Sequence, residues 1–526
     1  MPPPSTPPNQ DATDSKPPTD RVRWPGRLTL LLLVAGSTAL RLAHLTLKPY
    51  WFDECFSVEL ARLDWDNFVH VLWWREANMT FYYLLLRAWM LFGQSEFFIR
   101  SLSVGIAAAT IPTVYWIATL LYDRRVALIA AALFTFNAYS VRYAQEVRGY
   151  ALFALLATMS SGFLIAGLGE PSRRNRLGYV LGSILAVYTH FYALLLLVAH
   201  WLVVRFIGTP DSHGVNASGV RMQLWRAWKI IGLGVLPLLI FVAKTGAGPI
   251  RWIHRPGVRD LIAFFEQLSG GENVVLLLIC VAACVCAALP FEKYLLRRDH
   301  DWETWRVQFL LVWLLFPVTI TVLLSFARPV FLGRYMIFCL PAFVILAAAG
   351  LSRLRPVWLL APALAGFLLL SLQGVFFVYT HDFDNERDGS GDATAFILDH
   401  TQPGDGVIFH IAEARVPYEF FRSERAERYS ASPGWNGPLG PDILFPHSGP
   451  GLEYRDFKAK LTADLLRAVV PGHPRVWVVL IYNSDDDATT TLLTRTLPQW
   501  FSKEQRWQFP RLEVRLYAKD DGRGPS

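Results

Sequence analysis

Apolar runs long enough to cross a lipid bilayer recur through the first 379 residues of this 526-residue chain. A helix needs about 20 apolar residues to span the hydrocarbon core of a bilayer. About eleven runs meet or nearly meet that length, and two short ones adjoin at His190. These runs predict an all-α membrane protein with multiple spans. They lie near 28–47, 101–121, 126–141, 150–168, 177–190, 191–207, 229–244, 272–290, 307–326, 335–351 and 357–378.

The composition agrees with a lipid-facing surface and argues against binding of nucleic acid. Hydrophobic residues make up 53% of the chain and charged residues only 18%, whereas soluble domains carry about 25% charged residues. The formal net charge of +7 is not gathered into a basic face or a recognition motif. We therefore expect membrane lipids around the chain and no nucleic-acid partner.

Basic residues mark alternate loops between the predicted spans. Positively charged loops stay in the cytoplasm, so this alternation predicts a cytoplasmic N-terminus and an extracytoplasmic C-terminus in the cell inner membrane. A cleaved signal peptide is the competing reading of the first run, but no clear small-residue cleavage site precedes Trp51. The predicted cytoplasmic loops contain Arg124-Arg125, Arg173-Arg174 with Arg176, Lys293 with Arg297-Arg298, and Arg353 with Arg355.

The chain divides into three predicted regions: a disordered cytoplasmic terminus at 1–26, a transmembrane domain at 27–379 and a periplasmic α/β domain at 380–526. Within the second region, 48–100 forms a long outer loop, and Phe81–Phe92 reads as a helix lying in the interface.

The third region lacks span-length runs and carries strand and helix signals. A Gly- and Pro-rich loop is predicted at 430–452. Strands are predicted at Val407–Ile411, Val476–Ile481 and Leu512–Tyr517, and helices at Thr394–His400 and Thr462–Val469.

Two adjacent acids, Asp53 and Glu54, follow an aromatic run at the outer end of the first span. One acid at such a boundary is often only a solvated cap. A neighbouring pair suits general-base chemistry or metal binding, because two close carboxyl groups can be tuned to different pKa values. Glu76, later in the same outer loop, can converge with them.

The next predicted outer loop contains a second polar cluster, residues 142–150, which otherwise reads as a short hairpin between spans. Its arginines lie on the side where the positive-inside rule disfavours them. Snorkelling at span ends explains some outer arginines, but the whole set is better explained by an anionic ligand such as a lipid phosphate. The predicted outer arginines are Arg142, Arg148, Arg251, Arg255, Arg259, Arg328 and Arg334.

Arg334-Tyr335 and His190 are predicted to lie at the same depth, near the lipid headgroups on the outer side. Arg334-Tyr335 begins a span, which puts a guanidinium at headgroup depth. His190 lies among aromatic residues, and there an interfacial aromatic belt is the favoured reading over a catalytic role.

At these residues the sequence resembles bacterial glycosyltransferase family 39, which is related to protein O-mannosyltransferases and the lipid A aminoarabinose transferase and has the glycosyltransferase C superfold. The resemblance covers most of 28–378 and extends faintly into the tail. It is carried by an ordered series of segments: WFDE at 51–54, FYYLLLRAWMLFGQSEFFIRSLSV at 81–104, YAQEVRGYAL at 143–152, VYTHFYA at 187–193 and GRYMIFCLPA at 333–342.

The resemblance implies inverting sugar transfer from a polyprenyl-phosphate donor to a lipid, glycan or protein acceptor on the periplasmic face. It implies that Asp53 deprotonates the acceptor hydroxyl, with Glu54 as its supporting neighbour. It also implies that Arg334 and Arg148 hold the lipid phosphate, whose developing charge must be neutralised by arginine or a divalent metal ion. We predict further substrate contacts from Arg142, Glu146, Tyr150, His190 and Tyr335.

The chain departs from its relatives at two places. Many relatives have His-Pro-Pro where this chain has Asn78-Met79-Thr80, which weakens the resemblance where a metal role would fall on Glu76. Many also begin the tail with Asp-Trp-Arg, whereas this chain has Glu386-Arg387-Asp388-Gly389.

Two other functions fit a chain of this composition. A transporter or flippase of polyprenyl-linked glycans would carry charges near the midplane and internal repeats. Neither is evident in the sequence. A non-catalytic membrane scaffold would leave the outer arginines unexplained. An enzyme is therefore the favoured reading.

Overall fold

A computed structural model describes residues 24–207, 217–245, 253–289, 302–354, 357–381, 389–430, 440–449, 451–481 and 488–520. Residues 1–23, for which disorder is predicted, lie outside this set. The first part of the chain forms helices α1 Trp24–Leu42, α2 Phe52–Arg62, α3 Trp65–Trp74, α4 Thr80–Met90, α5 Glu96–Leu121, α6 Arg124–Thr135, α7 Ala138–Ala144, α8 Tyr150–Gly169, α9 Arg173–Thr189 and α10 Ala193–Leu202.

Longer helices follow, and then a small mixed region. The helices are α11 Ala217–Thr245, α12 Val258–Ser269, α13 Val274–Ala288, α14 Trp302–Ala327, α15 Leu340–Leu351, α16 Leu360–Thr380, α17 Ser390–His400, α18 Arg415–Ser430, α19 Ala463–Val469 and α20 Ala488–Thr496. The strands are β1 Gly406–Phe409, β2 Asp442–Phe445, β3 Arg475–Ile481, β4 Lys503–Phe509 and β5 Leu512–Ala518.

Six of these helices are long and apolar enough to cross a membrane, or eight spans result if each of two bent helix pairs is counted as one. The three remaining predicted spans correspond to α1, α9 and α10, which are shorter or less apolar. The chain is therefore a multi-pass membrane protein. α4, at the predicted interfacial helix, buries Tyr82, Tyr83, Leu86 and Met90 and so packs one face into the bundle.

The first bent pair is α6–α7, where the helix axis turns by 57°. Asn137 caps the new helix by accepting a hydrogen bond from the Ser140 amide at 3.0 Å. A break leaves backbone carbonyls without helical partners, and the fully buried guanidinium of Arg41 donates to one of them, Thr135 O, at 3.0 Å. Arg41 also donates to Ser140 Oγ at 2.9 Å. One arginine of α1 thus stabilises the bend.

The second bent pair is α12–α13, with a turn of 77°. Gly270 makes this turn with φ of +120°, a conformation that L side chains rarely adopt. Gly374 of α16 packs against the turn so closely that a Cβ there would lie 2.4 Å from the Gly270 carbonyl oxygen. Asn137 Nδ2 donates to Leu268 O at 2.9 Å, which ties the two breaks together.

The C-terminal part forms a five-stranded sheet of order β2-β1-β3-β5-β4. β1 is parallel to β2 and β3, whereas β5 is antiparallel to both β3 and β4. Strands β1, β3 and β5 and helices α17 and α19 match predicted elements. The predicted loop at 430–452 is wrong where β2 forms, and α18 and β4 were not predicted, because β2 is only four residues long and β4 is a polar, exposed edge strand.

The bundle has two chemically different ends. α5 is 26 residues long, so its two ends are about 39 Å apart. At the far end, Arg306 donates to the carbonyl of Leu121 at 3.0 Å and Arg353 to that of Cys286 at 2.7 Å. The other end carries the C-terminal sheet and is called here the domain end.

Candidate active site

Helix α2 begins at the domain end with both predicted acids in its first turn. A helix N-terminus favours negative charge, but the two side chains have different surroundings. Glu54 is 1% exposed. Its carboxylate accepts two hydrogen bonds from Arg100, at 2.9 and 2.7 Å, and one from the Val147 amide at 2.9 Å. Glu54 therefore holds α2 against α5 and against the 142–150 loop.

Asp53 faces the other way, into a group of arginines. Its Oδ2 lies 3.7 Å from an Nη2 of Arg148 and 3.7 Å from an Nη2 of Arg334. The Asp53 side chain keeps 23% of its surface exposed. Two predicted site arginines, distant from each other in the chain, thus converge on the half-buried carboxylate of the predicted base.

Each arginine is held by its own neighbours. Arg148 donates to the hydroxyls of Ser57 and Tyr83, both at 3.3 Å. The guanidinium of Arg334 lies over the ring of Trp51 at 5.4 Å from its centroid. Packing of this kind fixes the guanidinium planes before any ligand arrives.

Aromatic residues line the space beside the two arginines. Tyr150 and His190 are almost fully buried, and the His190 ring lies 4.7 Å from Tyr335 and stacks on Phe153 at 5.0 Å. The predicted aromatic belt at the membrane surface is therefore wrong for His190. Within the described residues, Tyr150 Oη, His190 Nε2, Arg148 Nε and Trp51 Nε1 are buried without a hydrogen-bond partner. Unsatisfied polar atoms are costly, so this cluster indicates a space for a polar ligand or ordered water.

Glu76 lies between α3 and α4, and its charge interacts with Arg148 and Asp53. Burial raises the pKa of Glu76 to about 7, while Arg148 and Arg75 act against that rise. The described residues contain no group of three His, Cys, Asp or Glu side chains that could hold a metal ion. Two guanidiniums beside Asp53 also disfavour a cation there, so these residues do not fit a metal centre.

Arg142 and Glu146 lie beside a cavity at the domain end. They line it together with Trp51 and Glu54, whereas Asp53, Arg148 and Arg334 do not line it.

The C-terminal region covers α2. Phe420 of α18 contacts Tyr50 edge-on at 5.0 Å, and Phe457 contacts Phe56 at 5.1 Å. Glu413, next to β1, forms an ion pair with Arg75, the neighbour of Glu76. The C-terminal sheet is therefore attached to the loop that carries both candidate acids.

Some arginines predicted for the site lie away from Asp53, and some residues of the site were not predicted from the sequence. Arg255, Arg259 and Arg328 are exposed, without a contact to Asp53 in the described part of the chain, and Arg251 lies outside that part. Arg100, Tyr83 and Ser57 were not predicted. Arg100 could have been predicted, because it is an arginine at the outer end of a predicted span. No local sequence pattern marks Tyr83 or Ser57.

The fold is similar to those of known membrane enzymes. ArnT from Cupriavidus metallidurans bound to undecaprenyl phosphate has a TM-score of 0.57 at 13% identity, over 94% of this chain and 99% of that one. The apo form of the same protein has a TM-score of 0.56 at 14% sequence identity, over 94% of this chain and 98% of that one. A third similar structure is the Archaeoglobus fulgidus oligosaccharyltransferase AglB in complex with an inhibitory peptide and a dolichol-phosphate. Its TM-score is 0.50 at 10% sequence identity, over 86% of this chain and 69% of that one.

No protein-family model matches the sequence, and no curated protein matches it. The similarity is therefore one of fold. The chain has the glycosyltransferase C fold, which confirms the superfold expected from the resemblance.

Proposed function

We propose that the chain is a membrane glycosyltransferase that moves a sugar from a polyprenyl-phosphate donor to an acceptor hydroxyl, with inversion. The observation that carries the proposal is the convergence of Arg148 and Arg334 on the Asp53 carboxylate, 3.7 Å from each guanidinium. A base next to two phosphate-binding cations is the arrangement that this reaction needs.

Asp53 is the general base. It is half-buried at the start of α2, whereas the adjacent Glu54 is already occupied by Arg100 and the Val147 amide. Only Asp53 of the pair therefore presents a carboxylate to a substrate. A positioned base contributes about 10²–10⁴-fold in rate.

Arg148 and Arg334 bind the donor phosphate. Guanidinium groups bind phosphate through paired hydrogen bonds, and both groups are fixed by neighbours before the donor arrives. ArnT was solved with undecaprenyl phosphate and AglB with a dolichol-phosphate. These ligands support a polyprenyl phosphate as donor carrier here.

The reaction is a direct displacement at the anomeric carbon. The donor phosphate takes the guanidiniums from Asp53, whose carboxylate then accepts the proton of the acceptor hydroxyl. The hydroxyl oxygen bonds to the anomeric carbon, and the bond from that carbon to the phosphate oxygen breaks. The electron pair stays on the departing polyprenyl phosphate, and the two arginines stabilise its charge.

Tyr150, His190 and Tyr335 form the wall on which the sugar lies. Tyr150 Oη and His190 Nε2 are buried and lack hydrogen-bond partners within the described residues. They can therefore bond sugar hydroxyls, and the aromatic faces can cover the ring. Arg142 and Glu146 line a neighbouring cavity together with Trp51.

The reaction takes place on the periplasmic face of the inner membrane. The first loop predicted to be cytoplasmic, which carries Arg124-Arg125, begins at the end of α5 that is far from Arg100. With a cytoplasmic N-terminus and the span count of eleven, the transmembrane domain covers 27–379 and the region 380–526 is periplasmic.

The test uses the purified chain in lipid nanodiscs with a labelled polyprenyl-phosphate sugar and membranes from a strain lacking the gene. Label transfer to an acceptor, followed by mass spectrometry, is expected for the wild type and lost in Asp53→Asn. Asp66→Asn is the matched control, because Asp66 lies exposed in the same outer loop. Wild-type turnover of Asp53→Asn would contradict the base assignment.

A further inference from the structure

Two lysines from distant parts of the chain lie over the same tryptophan ring at the domain end. Lys244 is in the last turn of α11, and its Nζ lies 5.9 Å from the centroid of the Trp74 ring. Lys458 belongs to the C-terminal region, and its Nζ lies 6.0 Å from the same centroid. Trp74 ends α3 in the first outer loop and is 53% exposed. Three separate elements thus meet at one exposed aromatic side chain, and this place is called here the Trp74 junction.

One face of α3 holds the C-terminal region at this junction. Asn67, His70 and Trp74 are spaced by three and four residues, so they lie on one side of the helix. Asn67 Oδ1 accepts a hydrogen bond from the Tyr454 amide at 3.1 Å, and the His70 ring lies 4.2 Å from the Tyr454 ring. Lys458 Nζ lies 5.1 Å from the centroid of that tyrosine ring. The packing of this segment on α3 therefore places Lys458 beside Trp74.

The junction lies at the end of an apolar stripe on α11. Leu233, Leu236, Ile240 and Lys244 are spaced by three or four residues along this helix, and the three apolar side chains are 72%, 46% and 42% exposed. An exposed apolar stripe on a membrane span faces lipid. Snorkelling explains a lone lysine at the end of such a stripe, but it does not explain a second lysine that comes from outside the bundle. A lipid that lies along this stripe has its headgroup at the Trp74 junction.

Among the described residues, the Trp74 junction carries positive charge without a paired acid. Lys244 and Lys458 are both exposed, and neither forms an ion pair with another described residue. Asp456, which is close to Lys458 in the chain, is fully buried and accepts a hydrogen bond from Arg415. Two ammonium groups beside one ring repel each other, and each keeps N–H donors that can bind a further ligand. An anion beside both of them is therefore favoured.

We infer that the Trp74 junction binds the anionic headgroup of a membrane lipid. The headgroup phosphate accepts hydrogen bonds from Lys244 and Lys458, and the Trp74 indole lies at headgroup depth. The acyl chains follow the apolar stripe of α11. The bound lipid links the helical bundle to the C-terminal region through residues that the proposed reaction does not use.

The test titrates dioctanoyl phosphatidylglycerol into the purified full-length chain in an uncharged detergent, with native mass spectrometry to measure the Kd of the bound lipid. Saturable binding is expected. The double variant Lys244→Gln/Lys458→Gln should raise the Kd about tenfold, since two charge-assisted contacts are lost. Its Tm without added lipid should match that of the wild type, because both lysines are exposed.

Matched controls separate position, charge and lipid chain. Arg259→Gln/Arg328→Gln removes two exposed arginines of other predicted outer loops and should leave the Kd unchanged. Dioctanoyl phosphatidylcholine has the same acyl chains and a phosphate but no net charge, so it should bind more weakly than phosphatidylglycerol. Inorganic phosphate should also bind far more weakly, because it makes no use of the apolar stripe.

Three results would overturn the inference. Equal Kd values for phosphatidylglycerol and phosphatidylcholine would remove the anionic headgroup, and an unchanged Kd in Lys244→Gln/Lys458→Gln would remove the Trp74 junction as the binding place. A lipid-free dimer that the wild type forms and this variant does not form would assign the junction to a second copy of the chain.

Discussion

Asp53 and Glu54 are adjacent in the chain, yet their carboxylates have different partners. Glu54 is bonded to Arg100 and a backbone amide inside the bundle, whereas Asp53 lies 3.7 Å from two arginines and remains partly exposed. Successive helical residues point about 100° apart, so one turn of α2 presents one acid to the bundle and the other to the site. Glu54 anchors the helix, and Asp53 is the carboxylate that we propose as the base.

In the proposed mechanism, the donor phosphate and the Asp53 carboxylate compete for the same two guanidiniums. We therefore predict that Asp53→Asn binds sugar-free undecaprenyl phosphate about fivefold more tightly than the wild type, corresponding to ~1 kcal/mol for a partly exposed ion pair. A direct binding titration measures this. Asp66→Asn should show the wild-type Kd, and weaker binding by Asp53→Asn would refute the shared use of the arginines.

Glu76 gives the protein a pH dependence of stability. Burial raises the pKa of Glu76 from 4.5 to about 7, so the folded protein holds a proton that the unfolded chain releases. This contribution is fully present below pH 4.5 and is lost as pH rises through about 7. We predict that the Tm of Glu76→Gln, relative to the wild type, increases between about pH 5 and about pH 8.

Thermal unfolding in detergent across this pH range tests the prediction. Glu170→Gln serves as a control, since Glu170 is exposed at the end of α8. A difference in Tm between Glu76→Gln and the wild type that stays constant with pH would show that Glu76 has no raised pKa.

At the scale of elements, the two bent helix pairs bring polar loops together at the domain end. Asn137 of the first break bonds to Leu268 O of the second, and Gly374 of α16 packs directly on the second turn. Continuous helices would run on past this level. The bends instead put α7, with the loop that carries Arg148, against the start of α2.

The close packing of Gly374 makes a specific prediction. Gly374→Ala should lower stability by about 2 kcal/mol, because its Cβ would overlap the Gly270 carbonyl. Gly366→Ala in the same helix has open space around the new Cβ and should raise stability by about 0.5 kcal/mol through helix propensity. Thermal unfolding of both variants measures the difference, and equal Tm values would contradict this account of the turn.

At the scale of the whole molecule, the C-terminal sheet and the helical bundle share the candidate site. Phe457 packs on Phe56 of α2, and Phe420 packs on Tyr50 just before that helix. Glu413 forms an ion pair with Arg75. Within the C-terminal region, the fully buried Arg415 bonds to Asp456 at 3.0 Å and to Glu419 at 2.9 Å. This interior ion-pair network connects α18 to the segment that carries Phe457.

We predict that the Arg75–Glu413 pair positions the loop that carries Glu76. Glu413→Lys puts two cations together and should lower kcat/KM about tenfold, with Tm nearly unchanged. The charge swap Arg75→Glu/Glu413→Lys should restore most of the activity. Asp464→Lys, which breaks an exposed pair with Arg467, is the control, and a swap without rescue would rule out positioning through this pair.

Much of the architecture follows from local sequence patterns. Apolar runs and loop charges identify the bundle, and hydrophobic strands identify most of the C-terminal sheet. β2 and β4 escape prediction because one is very short and the other is a polar edge. His190 was predicted to lie in an aromatic belt at the membrane surface. Its aromatic neighbours in the sequence suit such a belt and a buried aromatic cluster equally well.

Hydropathy and charge alternation are properties of short segments, so the amino-acid sequence already predicts that the chain crosses a membrane repeatedly and that Asp53, Glu54, Arg148 and Arg334 belong to one face. The different partners of the two acids, by contrast, become visible only in the folded chain. Glu54 meets Arg100 across 46 residues, and Asp53 has Arg148 beside it across 95. Such pairings depend on how the helices bend and pack, and no local pattern records that.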